Sequence, residues 1–106
     1  MIDIDNLSQF KTETEGYPDM VCLLFHRPKS QPCLVMTNLL ESLCAKKGYK
    51  FLRLSVAEQE FYPIVIKFGV GPLPRYLFIR NGEILYSSSG TEVKHYLEKI
   101  LNKLEV

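Results

Sequence analysis

Apolar residues change their spacing along this chain, and the changes mark out its elements. MVCLLF, 20–25, is apolar at every position, as a strand covered on both faces requires. From Cys33 the spacing becomes helical. Cys33, Met36, Leu40, Leu43, Cys44 and Lys47 fall on one face, and Gly48 is placed to stop the helix. Pro32 stands just before this run or in its first turn, where a missing amide hydrogen does no harm. YKFLRLSV, 49–56, reads as a strand. In RYLFIRNGEILYSS, apolar runs at 76–79 and 84–86 flank Asn81-Gly82, the dipeptide preferred in two-residue hairpin turns.

The remaining segments carry weaker patterns. MIDI, 1–4, suits a short edge strand, and 6–15 a helix capped by Asp5 or Asn6. Residues 57–69 have an acidic start and an apolar middle but contain Pro63, which predicts a short or broken helix. Thr91 is a candidate cap for a last helix with Val93, Tyr96, Leu97, Ile100, Leu101 and Leu104 on one face. The order β-α-β-α-β-α-β-β-α begins with parallel crossovers and ends with an antiparallel hairpin. It predicts a single α/β domain over 1–106, with a mixed sheet of about five strands and helices on both faces.

Composition narrows the function classes. Thirteen Lys and Arg are interspersed with 12 acidic residues, for a net charge of +1. Neither nucleic acid nor a membrane surface is implied as a partner. The apolar runs are far shorter than the roughly 20 residues of a bilayer span, and the acidic start lacks the basic, then apolar, pattern of a signal peptide. Three cysteines, an odd count, fit free thiols in the cytoplasm better than a secreted disulfide framework. Cys22 in a strand and Cys44 in a helical stripe read as small core residues, with a bond between them left open. Cys33 and Cys44 would lie about 16 Å apart on one helix, too far to bond. His26 and His95 have no ligand spacing around them, so neither metal nor other cofactor is expected.

The segment FHRPKSQPC, 25–33, sits at a strand-to-helix junction, and KFGVGPLPRYLFIRNGE, 67–83, leads into the hairpin. With Gly90 before the last helix, these segments resemble the thioredoxin family over nearly the whole chain. The resemblance implies the thioredoxin fold. It places Pro28, Pro32 and Cys33 on the family's proline and inner cysteine, and Pro74 on its cis-proline. Ser30 stands where the family has its outer, attacking cysteine. His26 replaces a tryptophan, Leu24 a buried aspartate, and Arg75 a small polar residue. In these losses the chain looks similar to the thioredoxin-like domains of phosducin-like chaperone cofactors.

The chemistry follows from position 30. Dithiol exchange needs an outer thiolate to attack and an inner thiol to resolve. A serine hydroxyl without a base does neither, and no neighbouring base is evident in the sequence. The expectation is a redox-inactive module that binds protein or an extended peptide, as a monomer or weak dimer. Its backbone at Leu73, beside Pro74, would pair with the guest by strand addition. His26, Lys29, Pro32 and Arg75 complete the expected binding set. The basic residues among them, with Arg27, are ordinary solvated charge on the plainer reading and a rim for an acidic guest on the functional one. The alternatives are a monothiol oxidoreductase acting through Cys33, or a dithiol enzyme whose outer cysteine was replaced by Ser30. The first is opposed by the apolar burial that the resemblance implies for Cys33. A serine that activates glutathione, as in some glutathione-binding relatives, is less favoured because those enzymes carry a further helical domain.

Overall fold

The computed structural model describes residues 1–105. Five strands form one sheet in the order β1-β3-β2-β4-β5. They are β1 (Ile2–Asp3), β2 (Val21–His26), β3 (Lys50–Ser55), β4 (Arg75–Arg80) and β5 (Glu83–Ser89). β1 and β2 both run parallel to β3, and β4 is antiparallel to both β2 and β5. The helices are α1 (Leu7–Thr14), α2 (Gln31–Lys47), α3 (Tyr62–Lys67) and α4 (Lys94–Leu104), with a 3-10 turn at Gln59–Phe61 leading into α3. This is the mixed five-stranded sheet that the alternating pattern predicts.

The unbroken apolar run of β2 is buried from Val21 to Phe25 because both faces are covered. Cys22 and Leu24 point toward Met36, Leu40, Leu43 and Cys44 of α2 and Leu97 and Leu101 of α4. Val21, Leu23 and Phe25 point the other way, toward Phe61 and Ile64, with Phe10 of α1 alongside. Strand alternation thus splits one sequence run between two cores. At the hairpin, Asn81 and Gly82 take φ of 51° and 77°, both left-handed, as the expected two-residue turn demands. Gly48 ends α2 at φ 74°, its amide donating to the Cys44 carbonyl.

Several boundaries differ from the sequence expectation. β1 covers only Ile2 and Asp3, since Ile4 is already turning into the core. Asn6, not Asp5, caps α1 by accepting from the Gln9 amide at 2.8 Å. The 57–69 segment does hold the short helix expected of it, α3, with Pro63 in its first turn, where it is tolerated. α2 begins two residues before Cys33, capped by Ser30. Thr91 caps nothing. α4 starts three residues later, after Val93 in extended conformation. There the Glu92 carboxylate accepts the Val93 amide at 2.9 Å, and the Glu92 amide points at Met36 Sδ at 3.3 Å. That anchor to α2 delays the helix. Val93 would share the buried face only if helical, and its extended backbone leaves it 64% exposed; Tyr96, flanking that face, is 47% exposed. The buried stripe shrinks to Leu97 and Leu101, with Ile100 and Leu104 half covered.

Candidate functional site

The Arg27–Ser30 connection turns the chain from β2 into α2. Lys29 sits at φ 66°, a left-handed conformation that a lysine rarely adopts, and the Ser30 amide donates back to the Arg27 carbonyl at 3.3 Å. This tight reversal leaves Ser30 extended at the head of α2. Its Oγ is the cap acceptor for the Cys33 amide, at a long 3.5 Å. Cys33, one turn in, is only 2% exposed. The Arg27 amide points at its Sγ from 3.5 Å, and its carbonyl accepts from Thr37 Oγ1 at 2.8 Å.

A cleft of about 330 Å³ brings His26, Lys29, Ser30 and Cys33 together, with Arg27, Pro28, Thr37 and Arg53 also on its walls. Pro32 does not line it. Arg53 is the residue that sequence reasoning missed. A lone arginine inside the apolar strand KFLRLS was the available signal. It reaches back to Asp3 in a two-pronged pair, Nε to Oδ1 at 2.7 Å and Nη2 to Oδ2 at 3.1 Å, which holds the Asp3 carboxyl below its ordinary range. His26 and Arg53 also wall a second cleft of about 350 Å³ that includes Asp3, Asp5, Glu58 and Glu60. Burial first, then the Arg53 charge, keeps the His26 imidazole below its ordinary value, against the opposing pull of Asp3. The sequence suggested no base near Ser30. The fold places His26 in the same cleft, yet no hydrogen bond joins the two, and the Ser30 oxygen is turned toward the Cys33 amide.

Leu73, Pro74 and Arg75 do not line that cleft. The β2–β4 register pairs Phe25 with Arg75, so the loop before β4 arrives beside the end of β2 where His26 stands. The Leu73–Pro74 bond is cis. Pro74 is buried, and its carbonyl accepts from the Gly90 amide at 2.8 Å. Leu73 packs toward the α1/α3 core.

No family model matches the chain. Among curated proteins, the thioredoxin of Bacillus subtilis is 30% identical over 95 residues, which cover 89% of this chain and 88% of that protein. The chain belongs to the thioredoxin family. It is also 26% identical over 103 residues to monothiol glutaredoxin-4 of Saccharomyces cerevisiae, but spans only 42% of that protein's length. Among solved structures, thioredoxin f2 of Chlamydomonas reinhardtii superposes with a TM-score of 0.81 over 97% of this chain and 95% of its own, at 14% identity. The thioredoxin of Trypanosoma brucei brucei gives 0.81 over 98% and 89%, at 20% identity. At those identities the likeness speaks for the thioredoxin fold alone.

Leu24 is fully buried among Met36, Leu40 and Tyr76, and no carboxylate of the described residues is buried in this core. Cys22 and Cys44 are free thiols facing each other in it, and burial with Cys44 alongside pushes the Cys22 thiol well up. Among the described residues, no group of three or more metal-ligating side chains exists, and no helix is long and apolar enough to cross a membrane. A third groove, about 620 Å³, lies near Asn81 and Gly82, between α1 and α3. Its walls carry Lys11, Glu15 and Lys67 but no cysteine or histidine.

Proposed function

We propose that this thioredoxin-family chain holds an extended segment of another protein beside Pro74 and does not turn over disulfides. One observation carries the reading. The atom at the head of α2 is the Ser30 oxygen, used as a helix cap for Cys33. A hydroxyl there is a good cap acceptor and a poor attacker, since it stays protonated without a base bound to it. The binding half of a thioredoxin's work needs only the backbone of the loop before β4, the mode called strand addition. Ser30 leaves that untouched. Leu24 supports the same reading by removing the carboxylate that the resemblance places there for proton transfer to the inner thiol. In combining the fold with a lost attacker, the chain is similar to the phosducin-like domains, and free thiols suit a reducing, cytoplasmic setting.

A second reading has one observation in its favour. The Arg27 amide aimed at Cys33 Sγ would also serve a sulfur acting alone, as a monothiol. The near-complete burial of Cys33 opposes it. Insulin reduction with dithiothreitol, run on the chain and on Ser30→Cys, decides between the readings. Background turnover by the chain and partial turnover by Ser30→Cys are expected. Sustained turnover by the unaltered chain, lost in Cys33→Ser, would replace the binding reading with the monothiol one.

A further inference from the structure

The β4–β5 hairpin carries a polar corner that neither cleft includes. Its register sets Arg75 opposite Ser89 and Leu77 opposite Ser87. Arg75, Ser87 and Ser89 therefore stand on one face, two residues apart along their strands. Arg75 Nη1 donates to Ser89 Oγ at 3.3 Å, a long contact. Arg75 Nε and Ser87 Oγ are both buried and have no hydrogen-bond partner. The ion pairs among the described residues are Lys46–Glu98, Lys47–Glu105, Lys50–Glu13 and Arg53–Asp3. None involves Arg75. A guanidinium cannot shed its proton, so a half-buried one with an idle donor carries a desolvation cost that the long Ser89 contact offsets only in part.

The corner sets the half-buried Arg75 guanidinium beside the exposed Ser89 hydroxyl, with the buried Ser87 hydroxyl on the same face, and no anion among the described residues pairs with it. A carboxylate is the group that answers this set, because it accepts from a guanidinium edge and from hydroxyls at once. Its position is as telling as its chemistry. Arg75 follows Pro74 directly, one residue beyond the Leu73 backbone to which a guest strand would pair. A strand added there sends alternate side chains to opposite faces, and those on the Arg75 face arrive at this corner.

We propose that Arg75, with Ser87 and Ser89, forms a subsite for the carboxylate of an aspartate or glutamate in the guest chain. The inference rests on the strand-addition reading above and adds the chemistry that selects the guest.

The test uses short, end-blocked peptides of alternating Thr and Val, with a single Glu at each position in turn and Gln counterparts of each. Binding is read by fluorescence polarisation at low and at physiological salt. At one Glu position the chain should bind about tenfold more tightly than to the Gln counterpart, a preference that shrinks with salt. In Arg75→Gln, with folding checked by circular dichroism, the Glu-to-Gln ratio should fall to near one. Should that variant not fold, Ser89→Ala, at an exposed position, reports the same ratio and should lower it without abolishing it. Equal binding of Glu and Gln peptides by the unaltered chain would overturn the subsite and leave the binding reading standing. A preference that survives in Arg75→Gln would overturn it too, moving the selectivity to the His26 and Lys29 rim. If no peptide binds at all, the strand-addition reading falls and takes the subsite with it.

Discussion

Tyr76 offers the sharpest check on how this core is built. It lies next to Arg75 in β4, pairs with Leu24 across the sheet, and is 0% exposed. Its ring meets Phe78 edge-on at 6.4 Å and Tyr86 at a tilt, also 6.4 Å. Its hydroxyl is buried and unpartnered: Ser88 stands nearby and eases the burial, yet no hydrogen bond of good geometry forms. Tyr76→Phe keeps the ring and both aromatic contacts and deletes only the oxygen. An unmet buried polar group costs about 1–3 kcal/mol, so the variant should be more stable by about 1 kcal/mol, allowing for Ser88. For a domain of this size that is a rise in Tm of about 4–8 °C.

A pH arm isolates the same atom. Burial raises the Tyr76 phenol from 10.0 to about 12. The unfolded chain therefore loses this proton first as pH rises. Stability should fall between about pH 10 and 12, by up to about 3 kcal/mol from this group. Every other group is common to both proteins. The difference between Tyr76→Phe and the unaltered chain should therefore grow with pH across that window. Urea denaturation at neutral and alkaline pH measures both effects. A loss of 1 kcal/mol or more in the variant at neutral pH would show that the hydroxyl is satisfied after all, by Ser88 or by a buried water.

Two further substitutions test the site itself. Leu24→Asp, which would put a carboxylate into this apolar core, should cost about 3–5 kcal/mol in urea melts because no cation among the described residues faces that 0% exposed position; stability like that of the unaltered chain would mean that the core is wetter than described or that the Tyr76 hydroxyl takes up the carboxylate. His26 is held below its ordinary value by burial and Arg53, so the unfolded chain protonates first as pH falls. The stability contribution is whole above about pH 6.5 and should drain away as pH drops through that value toward the folded one. His26→Gln should flatten the slope of the urea midpoint over about pH 5–7, while Asp3, held low by Arg53, acts only in a more acidic window. A midpoint that stays level or rises on acidification in the unaltered chain would contradict this account.

What could be read along the chain was whatever depends on neighbours in sequence. The β2 run, Gly48 as a stop and Asn81-Gly82 as a hairpin turn are local demands of backbone and burial, and the fold meets them. The start of α4 was misplaced because its cause is distant: the Glu92 amide is fixed by Met36, 56 residues away. The partner of Arg53 was invisible for the same reason, since Asp3 reaches it only through parallel pairing of β1 with β3.

The polar corner depends on register in a stricter sense. Between Phe78 and Ile79 the β4–β5 pairing slips, its partners jumping from Tyr86 to Ile84, so Leu85 is an extra residue. Counting back from the Asn81-Gly82 turn without that bulge would set Arg75 opposite Ser88 and turn Ser87 and Ser89 to the other face, because a slip of one residue inverts every side chain beyond it. Ser87 and Ser89 meet Arg75 only because the bulge precedes them. A chain that had merely lost its redox function would have no use for a charge in this setting: an arginine with an idle buried donor carries a continuing cost to stability. Leu24 and Ser30 fit the proposed absence of disulfide turnover. Arg75 is not accounted for in that way, and it directly follows Pro74, beside which the proposed guest segment would pair.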